Sequence, residues 1–118
     1  MTADGVAGRR GLDRAALLDR LEGDQELLLE IVELFLEDCP RRLAVGRQAV
    51  NAGDLVTLVR IAHSLKGSAA NFGGADASSA ALAVETAARA GDLTAATATW
   101  QRLEAEIAWL TAALVQWD

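Results

Sequence analysis

From Leu93 to Trp117 the chain puts an apolar residue at every third or fourth position: Leu93, Ala96, Trp100, Leu103, Ile107, Leu110, Leu114 and Trp117. Steps of three and four lay those side chains along one stripe of an α-helix. A stripe this long is a seam, and other helices must cover it to hold it in water. The run therefore commits the chain to a packed helical bundle. No segment alternates with period two, so no strand is expected. Alanine and leucine dominate the 52% hydrophobic content, and proline occurs once.

The dipeptide Gly-Asp divides the rest. It occurs at Gly23-Asp24, Gly53-Asp54 and Gly91-Asp92, each time between two amphipathic runs. Glycine suits the end of one helix and aspartate the N-cap of the next. A short first helix is expected after Asp13, ending by Glu22 and presenting Leu17, Leu18 and Leu21. A second runs from Gln25 to about Ala52 with Leu28, Ile31, Phe35, Leu43 and Val50 inward, and Pro40 should kink or divide it. A third spans Leu55 to about Phe72, where Gly73-Gly74 stops it, and a fourth about Ala77 to Ala90. The fourth is rich in Ala and Ser, which lets it approach the third closely. The fifth is the seam, with Trp109 off it and placed to cover the first helix. The prediction is all-α: an antiparallel four-helix up-down bundle with a short additional N-terminal helix. Residues 1–11 read as a flexible tail and 12–118 as a single domain.

At 118 residues the chain can bury a core without disulfides or metal. Cys39 is alone, so a reducing, cytoplasmic setting is expected. No apolar run is long enough to span a membrane, and no helix has a basic face to lie on one. The net charge of −6 argues against nucleic acid. Residues 41–75, however, carry five bases against one acid. That segment is a positive island in an acidic chain, suited to an anionic group.

The island contains the single histidine, His63, and the single lysine, Lys66. On the third helix Leu55, Leu58, Ala62, Leu65, Ala69 and Phe72 form the inward stripe, which turns His63 outward. Lys66 stands beside it at i+3 and Gly67 at i+4, with Arg60 one turn before. Glycine inside a helix costs about 1 kcal/mol relative to alanine, and it makes sense where something must approach the backbone. Val56, Val59 and Ala70 share the outer side and make a modest apolar patch for a partner. One histidine and one distant cysteine do not make a metal site. A Cys39–His63 nucleophile pair has no support, and no glycine-rich phosphate loop is present.

The stretch Ala62-His63-Ser64-Leu65-Lys66-Gly67-Ser68-Ala69-Ala70-Asn71-Phe72-Gly73 resembles the signature of the histidine-containing phosphotransfer (HPt) domains of bacterial two-component phosphorelays. The resemblance spans roughly residues 12–114 and includes the Leu-Phe-Leu-Glu-Asp-Cys-Pro segment at 34–40. It implies that His63 accepts a phosphoryl group from a receiver-domain aspartyl phosphate and passes it to another response regulator. It makes Lys66 the residue that offsets phosphoryl charge and Gly67 the clearance for the incoming receiver. Glu85, 22 residues after the histidine, falls where the family has a Gln or Glu bonded to the imidazole. Arg60 is a candidate for phosphate or partner binding, with Val56, Val59 and Ala70 as partner surface. The resemblance implies a monomeric phosphocarrier rather than an enzyme, with Mg²⁺ brought by the receiver and no cofactor of its own. Receiver domains and a hybrid histidine kinase are the expected partners. Two alternatives stay open: the ATP-kinase-phosphorylated domain of a chemotaxis-type histidine kinase, and a receiver-binding module without transfer.

Overall fold

The computed structural model describes residues 12–117, so the expected tail at 1–11 lies outside the described residues. Five helices and no strand are found among them: α1 Arg14–Arg20, α2 Gln25–Ala52, α3 Leu55–Asn71, α4 Ala75–Arg89 and α5 Leu93–Val115. Aspartates cap four of the five starts. Asp13, Asp24, Asp54 and Asp92 each accept, through the side chain, the backbone N–H three residues on. At the end of α2, Gly53 takes φ +69, a left-handed conformation that closes a helix cheaply only in glycine. Gly74 has a different reason to be glycine. A Cβ there would come 3.2 Å from the Ala69 carbonyl oxygen and 3.3 Å from Leu110.

Helices α3 and α4 make the most extensive pairing, followed by α4 with α5. Helix α2 packs on both α3 and α5, and α1 rests on α2. The α3–α4 approach is close because α4 turns alanine inward: Ala77, Ala80, Ala81 and Ala88 are buried together with Val84. The seam of α5 fills the centre. Leu103, Ile107, Leu110 and Leu114 are at most 1% exposed, each worth roughly 1.5–3 kcal/mol of burial. At one end Phe72 packs at a tilt against Phe35 (centroids 5.2 Å apart, planes at 56°) and meets Trp117 edge-on at 6.0 Å. Helix α1 is laced over this end: Arg14 donates to the Trp117 carbonyl at 3.1 Å and Arg20 to the Asn71 carbonyl at 2.7 Å.

Several expectations are corrected in detail. Helix α4 starts at Ala75, two residues early, because Gly74 turns the chain directly into it. The seam begins at Ala96; Leu93 is 42% exposed, with its side chain beside Gly53 at the α2–α3 turn. Pro40 does not divide α2. Asp38 pairs with Arg41 and Arg42 across that turn. Trp109, half-buried, stands by Gly74, Asp76 and Ala77 at the start of α4, and the tryptophan tied to α1 is Trp117. One close contact has no local signature. Gly46 of α2 is buried against Trp100 of α5, and a Cβ on it would lie 2.1 Å from the indole ring.

Candidate functional site

The site is built on the α3–α4 pair. Leu58, Ala62, Leu65 and Ala69 are buried, which fixes the rotation of α3 and leaves the His63 side chain 65% exposed. On α4, Val84 and Ala88 face the core, and Glu85 falls beside them at the helix boundary, its side chain only 7% exposed. Its carboxylate is satisfied on both oxygens. Lys66 Nζ donates to Oε1 at 2.9 Å. Oε2 lies 3.2 Å from His63 Nδ1 and accepts from Arg89 Nε at 3.2 Å and Nη2 at 2.9 Å.

Hydrogen bonds from Lys66 and then Arg89 pull the Glu85 carboxyl down to about 2, with His63 contributing and burial opposing. Burial loses because the carboxylate is covered by long cationic side chains rather than by the core. Glu85 is therefore an anion at any ordinary pH, and an ionised carboxylate can only accept. The hydrogen on the short contact belongs to Nδ1, which leaves the Nε2 lone pair on the outer edge of an exposed ring. The arrangement turns the Nδ1 edge of the ring toward a carboxylate that two cations also hold, and leaves the Nε2 edge facing outward.

Gly67 faces open space: a Cβ on it would meet nothing within 4 Å. Nothing in the packing of the described residues asks for glycine there. Val56 is 66% exposed and Val59 half-buried, and both line a shallow groove with Leu55, Arg60, Ala88 and Arg89. Ala70 lies on the other side, in a groove with Lys66, Gly73 and Leu82. The structure thus brings His63, Lys66 and Glu85 into direct contact, and sets the four expected partner residues in grooves on either side. Arg60 makes no contact with the cluster's carboxylate; the second cation on it, beside Lys66, is Arg89, which sequence reasoning passed over. Its signal was the i, i+4 spacing from Glu85. Among the described residues no group of three or more His, Cys, Asp or Glu side chains could hold a metal ion.

The family model described as "Hpt domain" matches residues 30–113. The chain belongs to the HPt family. Among solved structures, HPt protein B (HptB) of Pseudomonas aeruginosa PAO1 superposes with a TM-score of 0.81 at 29% identity. The match covers 90% of this chain and 92% of that one. No curated protein matches the chain. As an HPt domain, it is a histidine phosphotransfer protein of a phosphorelay, a class that interacts with the receiver domains of response regulators. No helix among the described residues is long and apolar enough to cross a membrane.

Proposed function

We propose that His63 accepts a phosphoryl group from a receiver-domain aspartyl phosphate and passes it to a second response regulator. The observation that carries this reading is the contact of His63 Nδ1 with the ionised Glu85, which leaves Nε2 as the nucleophile on an exposed ring. The Nε2 lone pair attacks phosphorus in line and forms the N–P bond. The P–O bond to the aspartyl carboxylate breaks, and its electron pair leaves with the receiver's carboxylate. Nδ1 keeps its proton throughout, and Glu85 stabilises the positive ring that results. Because its carboxyl is held at about 2, Glu85 is too weak a base to take that proton. Lys66 then offsets phosphoryl charge, and the open space over Gly67 receives the partner. Mg²⁺ comes with the receiver.

We read the architecture as an antiparallel up-down arrangement of α2 to α5 within one domain, 12–118. Cross-helix pairs support it. Arg42 of α2 reaches Ser68 of α3 and Arg47 of α2 reaches Glu104 of α5, and His63 meets Glu85 across the α3–α4 turn. Helix pairs joined by such short turns pack antiparallel. Val56, Val59, Arg60 and Ala70 serve as receiver-facing surface, and the protein acts as a monomeric, cytoplasmic phosphocarrier whose donor can be a hybrid histidine kinase.

The test is transfer of labelled phosphoryl from phosphorylated receiver domains with Mg²⁺ to wild type and to His63→Gln. Acid-labile, alkali-stable label on wild type alone is the expected result. Label arriving only from ATP through a histidine kinase would move the reading to a kinase substrate domain. No label by either route would leave a receiver-binding module.

A further inference from the structure

The carboxylate behind His63 is held from two helices. Lys66, on α3, has Oε1; Arg89, on α4, has Oε2 through two N–H groups of one guanidinium. Oε2 is also the oxygen that receives His63 Nδ1, and its contact with the imidazole is no shorter than either of its contacts with the fork. A carboxylate anchored on one oxygen can still swing about its terminal bond, which is a soft torsion. Anchored on both, it presents Oε2 in one direction. A guanidinium fork is suited to this task, since its geometry is planar and preorganised where an ammonium is a point charge. Among the described residues Arg89 pairs with no acid but Glu85, and its side chain is 62% exposed, so core packing does not explain its place.

We propose that Arg89 is a positioning residue for phosphoryl transfer: by fixing Oε2 of Glu85 it holds the imidazole of His63 in the Nδ1–H tautomer and aims Nε2 outward. This rests on the reading of His63 as the phosphoacceptor. Arg89 does not touch the reacting atoms, and its effect travels through the carboxylate. It divides the work with Lys66, which alone would leave the oxygen facing the ring tethered only by the ring itself.

The experiment records the ¹⁵N chemical shifts of the single histidine ring in the unphosphorylated full chain, together with transfer from a phosphorylated receiver. Wild type, Arg89→Gln and Arg89→Lys are compared, and thermal unfolding checks that each is folded. In wild type the shifts should mark a protonated Nδ1 and a free Nε2. In Arg89→Gln both nitrogens should move toward the tautomer mixture of a free imidazole, with transfer slowed on the order of tenfold through lost orientation. Arg89→Lys keeps the charge and loses the fork, and should fall between the two. Unchanged ring shifts and transfer in Arg89→Gln would overturn the proposal, even with a lowered melting temperature. So would faster transfer, which would mean that the guanidinium competes with the imidazole for Oε2. Absence of transfer to wild type would instead count against the phosphoacceptor reading, while the ring shifts would still report on Arg89.

Discussion

Among the described residues two glycines sit inside helices, and their surroundings are opposite. Gly46 of α2 has the Trp100 ring where a side chain would be, and Gly67 of α3 has nothing within 4 Å. Each gives up about 1 kcal/mol of helix propensity relative to alanine. At Gly46 the return is internal: two helix backbones close around a buried indole. At Gly67 no neighbour among the described residues accounts for the glycine, and on the proposed function the return is room for the receiver. On the proposed function, the filled space at Gly46 serves folding and the empty space at Gly67, one turn from His63, serves recognition.

The sharpest way to break that contrast is alanine at each position. Gly46→Ala should lose about 1–3 kcal/mol in urea unfolding despite the better propensity, because the methyl group and the ring cannot share the space. Trimming the ring as well, in Gly46→Ala/Trp100→Leu, should return part of the loss. Gly67→Ala should do the reverse, gaining up to about 1 kcal/mol. Transfer from a phosphorylated receiver should nevertheless slow, and a variant equally stable and equally fast would remove the partner from the argument.

Acid provides a milder test. The Glu85 carboxyl is held at about 2 against an ordinary 4.5, so the folded state binds fewer protons than the unfolded one across that interval. Its contribution is fully present above about pH 4.5 and fades as the pH falls toward about 2. Glu85→Gln should flatten the urea midpoint against pH in that window, whereas Gly46→Ala should shift the whole curve without changing its slope. The smallest effect is a reporter. Cys39 lies on the α2–α5 side beside Leu43 and Ile107, and burial pushes its thiol up to about 11. At mildly alkaline pH its alkylation should run roughly a hundredfold slower than that of a free thiol, by thiolate fraction alone. Gly46→Ala should speed it by loosening that interface, and Gly67→Ala should not.

Local chemistry accounts for what the sequence made readable. The Gly-Asp dipeptides placed helix ends within a residue or two, since caps are decided by side chains a turn away. The stripe of α3 set the rotation of His63, and the spacing to Glu85 held because both helices run regularly from the Gly73-Gly74 turn. What stayed hidden depends on distant partners. Gly46 looked like a weak spot in a long helix until Trp100, far along the chain, was seen to occupy its space. Arg89 was one surface arginine among several, and only the depth of Glu85 made it part of the cluster. Leu93 obeys the seam's period but sits beside the Gly53 turn and stays partly exposed.

The cluster around Glu85 also has a sign. With the imidazole neutral, Lys66 and Arg89 outnumber the single carboxylate between them, so the face around His63 carries a surplus positive charge on a chain of net −6. A phosphoryl group on His63 would bring about two negative charges and reverse that surplus. On the proposed function, the same surface would draw in a phosphorylated, anionic donor before transfer and hold it less firmly afterward. Encounter and departure would respond oppositely to ionic strength, with added salt slowing the arrival of the donor and prolonging the stay of the spent one.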